Sequence, residues 1–326
     1  MKAASLAVLF PLVTLAGAQA SFMPSLPACS IQCFESNVSA SSCLPTDIQC
    51  LCGDTAFLGA VQTCQASSCS IKEILTSTNV TLNACGVPPG DHSTKLVAIP
   101  AAFGLAVITL VAIRVVSRSW SSSLKLEWDD YLILCSAAFA TILNALCFPM
   151  TRYGMGKDFW SIPHENIDRV LMYLYLAMIP YMISEMLAQM SLLAFYLRVF
   201  GGSSNWVRRG SWILICFSAS FGIANTFSMI FQCTPIPFFW QSWAGEVTGS
   251  CINIKVFSWV RASIQIAMDA SILSLPLPAL LKLRMNKRKK AQLLVMFALG
   301  FTITIISILR LESLVQFAAT QNPTCK

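Results

Sequence analysis

The sequence predicts an all-α protein made of two unlike parts, a small disulfide-rich helical module followed by an α-helical transmembrane bundle. Three observations carry that expectation. Cys29, Cys33, Cys43, Cys50, Cys52, Cys64, Cys69 and Cys85 crowd into 57 residues, whereas the 241 residues that follow hold six cysteines. Beyond them come six apolar stretches, each near the ~20 residues needed to cross a bilayer. The 326-residue chain is 56% hydrophobic and only 11% charged, with a mean hydropathy of +0.65. A water-soluble globule is about a quarter charged, so most of this chain requires another solvent.

Residues 1–20 read as a secretory signal. Lys2 is followed by an apolar run from Ala3 to Leu15 and by Ala18-Gln19-Ala20, an A-x-A cleavage site before Ser21. Residues 21–94 form the cysteine-rich module and its linker. So short and cysteine-dense a segment cannot bury a large core, so crosslinks must stabilise it, and crosslinks require an oxidising compartment. Asn37-Val38-Ser39 and Asn79-Val80-Thr81 are N-glycosylation sequons, in keeping with an external module. From Asp47 to Ala66, Ile48, Leu51, Leu58 and Val61 have helix-compatible spacing. The expectation is short stapled helices. The connectivity stays open, because eight cysteines allow about 105 pairings. Zinc is a poor alternative, since Cys50-x-Cys52 lacks the paired CxxC spacing of a zinc site.

Residues 95–326 form the membrane domain. The expected spans are Leu96–Val116, Tyr131–Met150, Val170–Leu197, Trp212–Phe231, Val256–Leu281 and Ala291–Leu311. With the N-terminus outside, the inner loops carry Arg118, Lys125, Arg198, Arg208 and Arg209. The last of them adds Lys282, Arg284, Lys287, Arg288, Lys289 and Lys290. Arg152, Lys157 and Lys255 fall in outer loops. The positive-inside rule and the secretory signal therefore agree on one topology. The net charge of +7 is spent on these short runs between apolar spans, so nucleic acid is not an expected partner. The expected partners are the lipid bilayer, an extracellular ligand of unknown identity and a cytosolic protein reached through the basic loop Lys282 to Lys290. That run also suits anionic lipid.

Polar residues inside the spans are the next candidates. Glu185 and Gln189 stand four apart on one face of the third span; Asn144, Asn225, Gln265 and Asp269 lie in the second, fourth and fifth. Intramembrane acids are costly and face the bundle interior. Glu185, Gln189 and Asp269 are read as an intramembrane pocket or ion path, Asn144 and Asn225 as packing contacts. Pro180, Pro276 and Pro278 are expected to kink their helices. Cys233 and Cys251 are expected to pair across an outer loop, with Cys147 as a competing partner, while Cys135 and Cys216 are expected to be packed thiols. The chain has two histidines, His92 and His164, and no HExxH, GxSxG or Walker sequence, so it is not expected to be an enzyme.

The cysteine spacing, with Pro27-Ala28-Cys29 at its start and Cys50-Leu51-Cys52 at its middle, resembles the CFEM domain of fungal extracellular membrane proteins. The remainder resembles the fungal rhodopsin-like integral membrane family. The matching pieces are Glu127-Trp128-Asp129-Asp130-Tyr131, Phe195-Tyr196-Leu197-Arg198, Phe231-Gln232-Cys233, Gly249-Ser250-Cys251 and Leu275-Pro276-Leu277-Pro278. The resemblance implies a plasma-membrane, GPCR-like receptor of seven helices with an external sensing domain. This chain ends after the sixth, which reads as a truncation and puts G-protein coupling in doubt. No lysine lies deep in a span, so a retinal Schiff base is not expected. For some CFEM domains the aspartate at the place of Asp47 is the axial ligand of haem iron, and a carboxylate is a hard donor suited to ferric iron. The residues alone allow Asp47 a second role, as cap of the helix it precedes. Haem or iron capture through Asp47 is thus the alternative function, and a non-signalling surface protein is the third.

Overall fold

The computed structural model describes residues 25–120, 127–200, 202 and 204–278. The secretory signal, the sixth span and the basic run Lys282 to Lys290 lie outside the described residues. The chain divides into two compact units. The first runs to Gly90 and takes in Lys157–His164 and Trp243–Glu246; the second holds the rest.

The first unit contains α1 (Ala28–Val38), α2 (Ile48–Gly53), α3 (Thr55–Ser68) and α4 (Ile71–Ala84). Each of the last three begins at a polar side chain that takes up orphan amides. Asp47 accepts from Cys50 N, Asp54 accepts from Ala56 N and Phe57 N, and Ser70 and Glu73 close a reciprocal capping box. The helix-compatible run from Asp47 to Ala66 is therefore two helices, split where Asp54 restarts the chain. Leu26, Cys33, Phe34, Phe57 and Val61 make the core, with Phe34 and Phe57 edge to face at 5.7 Å. Five side chains are a small core, and the crosslinks offset that. Cys29–Cys69 and Cys33–Cys64 fasten α1 to α3, Cys52–Cys85 ties α2 to the end of α4, and Cys43–Cys50 closes a short loop. Gln65 Nε2 donates to Ser77 Oγ at 2.8 Å inside the same core, joining α3 to α4.

The second unit contains α5 (Ser93–Trp120), α6 (Trp128–Arg152), α7 (His164–Phe200), α8 (Asn205–Ile230), α9 (Phe238–Gln241) and α10 (Ile254–Ser274). Four of these, α5 to α8, are long and apolar enough to cross a membrane. Each overruns the apolar stretch seen in the sequence by several residues, because a helix continues past the hydrocarbon into the interface. The fifth expected span is α10, which carries Lys255, Arg261 and Asp269 and is less apolar than the four. It ends at Ser274, Pro276 lies in the turn that follows, and helical backbone resumes at Leu277. Pro180 does lie inside α7. Between α8 and α10, β1 (Cys233–Thr234) pairs antiparallel with β2 (Ser250–Cys251), and the Cys233–Cys251 disulfide staples that ribbon in register.

Small residues let the helices approach. A Cβ on Gly222 of α8 would meet Met186 of α7 at 2.5 Å, and one on Gly210 would meet Leu275 at 2.4 Å. Cys135 and Cys216 are free and exposed, not the packed thiols the sequence suggested. They occupy faces that a spanning helix turns toward lipid, where an apolar thiol is at home. Cys147 is also free and is half-buried.

The caps of the first unit give it a defined acid response. The Phe57 amide, then the Ser41 hydroxyl and the Ala56 amide, hold the Asp54 carboxyl below its ordinary value against a smaller opposing effect of desolvation. A carboxyl depressed in the folded state stabilises the fold above the ordinary carboxylate range. That contribution is lost as pH falls through the depressed value. Asp54→Asn keeps the capping oxygen but cannot titrate. It is expected to flatten the acid limb of α3 amide protection, measured by hydrogen exchange corrected for intrinsic rates, with little change at neutral pH. An unchanged acid limb would show that Asp54 does not carry it.

Candidate functional site

Three helices of the second unit meet in a buried cluster of five charges. α6 begins with Asp129 and Asp130 in its first turn, where the exposed amide dipoles favour acids, and Asp130 Oδ2 also accepts from Glu127 N at 3.1 Å. Both aspartates are at most 2% exposed, so they require partners. Arg114 of α5 supplies both, with Nε 2.8 Å from Asp130 Oδ1 and Nη2 2.6 Å from Asp129 Oδ2. Arg118, one turn further along α5, pairs with Asp130. Arg198 of α7 donates to Asp129 Oδ1 at 3.0 Å, and Ser191 of α7 donates to the Asp129 carbonyl at 2.7 Å. Second carboxylates stand close by. Arg118 is 3.8 Å from Asp129, and Arg198 is 4.0 Å from both Asp130 and the half-exposed Glu127.

Exposed Trp120, Trp128, Trp206 and Trp212 mark this end of the bundle, the arrangement of an aromatic belt at a membrane–water interface. A cavity of about 400 Å³ opens there between α6, α7 and α8. Leu132, Met190, Ala194 and Ile215 give it apolar walls, Trp128 and Trp212 flank it, and its polar atoms come from Glu127, Asp129 and Arg198.

A second polar layer lies deeper. On α7, Tyr181, Glu185 and Gln189 recur every four residues, and on α10 Arg261, Gln265 and Asp269 do the same, so each trio forms one stripe. Glu185 Oε2 pairs with Arg261 at 2.5 Å and accepts from the Tyr181 hydroxyl through Oε1 at 3.3 Å. The Arg261 guanidinium sits 5.4 Å from the centre of the Tyr181 ring. Gln189 Nε2 donates to Asp269 Oδ1 at 2.9 Å, and Gln189 Oε1 accepts from Ser218 of α8 at 2.9 Å. Glu185, Gln189 and Asp269 thus share one layer and are spent on direct contacts across three helices. Asn144 bonds back to the Ala140 carbonyl of its own helix beside Gly104, and Asn225 is buried in α8.

In the first unit, Asp47 caps α2, its Oδ1 accepting from Cys50 N at 3.0 Å. The residue is exposed, and among the described residues its second oxygen has no partner. Leu44 beside it is 71% exposed. A hard carboxylate oxygen open to solvent is of the donor type that ferric iron would accept. Of the two sequons, the Asn37 amide donates to the Cys33 carbonyl of its own helix. The Asn79 amide donates to the Trp160 carbonyl at 2.9 Å and to that extent is committed to packing.

A family model described as the fungal rhodopsin domain matches residues 113–326, and one described as the CFEM domain matches residues 22–86. The chain belongs to the fungal rhodopsin-domain family. Among curated relatives, it is 36% identical over 141 residues to a SAT4 family membrane protein of Emericella nidulans, covering 42% of this chain and 35% of that one. It is 27% identical over 131 residues to satratoxin biosynthesis SC1 cluster protein 4 of Stachybotrys chartarum, covering 40% of this chain and 48% of the relative. It is 26% identical over 211 residues to phomoidride biosynthesis cluster protein H of a fungal species, covering 56% of this chain and 73% of the relative. The chain thus spans between a third and a half of the first two relatives' length. No solved structure matches.

For this fungal rhodopsin-domain membrane protein, sequence reasoning missed Arg114, Arg261, Tyr181 and Ser218, and it took Arg118 for a loop charge. In the structure Arg118 lies within α5 with its side chain only 15% exposed. Two arginines four apart near the end of one apolar helix, facing two aspartates at the start of the next, were the available signal. Removing one partner from a buried pair costs about 3–5 kcal/mol, whereas exposed pairs contribute about 0–1 kcal/mol. Asp129→Ala is therefore expected to lower the thermal stability of the detergent-purified protein far more than Glu127→Ala. Equal shifts in scanning fluorimetry would refute the cluster's structural role.

Proposed function

We propose that this protein is a cell-surface receptor of the fungal plasma membrane. The cysteine-stapled unit faces outward, the helices sense or relay an external cue, and the basic end, with Arg208, Arg209 and the run Lys282 to Lys290, faces a cytosolic partner. The basic loops support this orientation through the positive-inside rule, as do the crosslinks, which belong in an oxidising compartment. Signalling then proceeds by partner binding rather than by catalysis.

The observation that carries the reading is the five-charge cluster. A switch needs two arrangements separated by only a few kcal/mol. Here Arg118 and Arg198 each have a second carboxylate within 4.0 Å. A small displacement of α7 against α5 and α6 exchanges partners without leaving a buried charge unpaired, so the cost of moving stays low. An external cue that favours one pairing would alter what the basic end presents.

Asp130→Asn, which weakens one side of this exchange, is expected to change basal cyclic AMP or MAP-kinase phosphorylation in a fungal strain without any added cue. Surface amounts must be matched by labelling. If neither this variant nor neutralisation of Lys287 to Lys290 moves any output, and the deletion strain also matches wild type, the protein is a non-signalling surface protein.

A second reading rests on Asp47, exposed with one oxygen uncommitted. As a haem-binding surface protein, the first unit would hold ferric haem through this carboxylate, and the bound group would supply iron for uptake. Titration of the full chain in detergent with ferric haem is then expected to shift the Soret band, and Asp47→Ala to abolish the shift. A spectrum indifferent to Asp47 removes this reading.

A further inference from the structure

The cleft at the basic end has the makings of a ligand site that neither of those readings uses. Its volume of about 400 Å³ lies within the range of ~300–1,000 Å³ typical of small-molecule sites. Its walls are apolar, and it opens at the tryptophan belt, the depth at which a lipid headgroup meets its acyl chains. The single cation in its lining is Arg198.

Charge decides what such a cleft prefers. Arg114 bonds both aspartates and Arg118 bonds Asp130, so two of the three arginines already balance the two acids. The remaining positive charge belongs to Arg198. Of its five donor hydrogens, the described contacts engage only those on Nη1. Among the described residues, Asp130, itself bonded by Arg114 and Arg118, lies 4.0 Å from it, and Glu127, also at 4.0 Å but with its side chain 53% exposed, is a weak, solvated competitor. One turn before the rim residue Trp212, toward the start of α8, comes Arg208. It is four residues before Trp212, hence on the same face of α8, and is exposed with no ion pair among the described residues.

We propose that this cleft binds an anionic phospholipid of the adjoining leaflet. One acyl chain lies along Leu132, Met190 and Ile215, and the phosphate is forked by Arg198 with Arg208 at the rim. Bidentate guanidinium contact suits a phosphate, and a membrane-depth apolar slot suits the chain. Because the headgroup and Asp129 both draw on Arg198, occupancy loosens the tie between α6 and α7. The inference about binding stands independently of whether the protein signals.

The test uses the full chain in mixed micelles, reading quenching of tryptophan emission by dibrominated phosphatidylserine and by dibrominated phosphatidylcholine. The expected result is saturable quenching at a several-fold lower mole fraction of the anionic lipid. Ala194→Phe, which fills the cleft and leaves every charge in place, is expected to abolish the difference. Arg208→Gln, an exposed change that spares the core, is expected to reduce it several-fold and serves if the filled variant does not fold. Equal quenching by the two lipids overturns the proposal, as does an anionic preference that survives both variants. Competition by inorganic phosphate as effective as competition by unbrominated phosphatidylserine overturns it too, since the site would then recognise an anion and not a lipid.

Discussion

The requirement that Asp129 and Asp130 be paired governs the bundle. Two adjacent carboxylates at the first turn of α6 are almost wholly removed from solvent. An uncompensated charge in such a place costs several kcal/mol. Arg114 and Arg118 must therefore come from α5, and Arg198 adds a third contact from α7; together these set which helices neighbour α6 and in what axial register. Ser191 adds a neutral bond from α7 to the Asp129 carbonyl, and further along α6 the Ser136 and Ser184 hydroxyls each donate to the other's carbonyl, so the register is specified at two heights. Apolar side chains facing lipid could slide past one another with little penalty. The ion cluster can move only by exchanging arginine partners.

The 37-residue helix α7 belongs to both polar layers. Glu185 and Gln189 meet α8 and α10 in the deeper layer, and Ser191 and Arg198 meet α6 at the tryptophan-marked end. Any axial movement of this helix must alter contacts in both. The close approach of Gly222 to Met186, where even a Cβ would fall 2.5 Å from the Met186 side chain, limits rotation, because a helix wedged on its neighbour's side chain cannot turn freely. Translation coupled to an exchange of arginine partners is then the cheaper motion.

Much of this was legible beforehand, for identifiable reasons. Hydropathy located α5 to α8 because water and hydrocarbon differ so sharply as solvents, and cysteine density marked the first unit. The pairing of Cys29 with Cys69 and Cys52 with Cys85 was not legible, because it depends on how four helices pack and not on spacing. Asp54 hid its restart of the chain inside a run whose apolar periodicity continued across it. Glu185, Gln189 and Asp269 stood out as acids and amides in apolar surroundings, yet their partner Arg261 did not. It lay inside the fifth span near its outer end, and its acid partner Glu185 stands 76 residues away in sequence. Arg118 was misassigned because it stood at an inner span end, where a basic residue is expected on topological grounds alone. A charge near a helix end serves topology or pairing, and only the third dimension separates the two.

The case of α10 shows why the partners matter. Its 21 residues include Arg261 and Asp269, and a lone charged residue at the centre of a spanning helix costs about 2.5–3.5 kcal/mol on insertion. Alone, this segment is a poor transmembrane helix. Beside α7 the balance changes, since Glu185 takes up Arg261 and Gln189 takes up Asp269 along a matched stripe with a four-residue repeat. The helix thus depends on its neighbour to occupy the membrane, whereas α5, with no buried residue and no charge between Lys95 and Arg114, does not. A bundle in which one helix holds another in the bilayer by a few polar contacts joins the position of that helix to the state of those contacts. That is the property the receptor reading requires of its deeper layer.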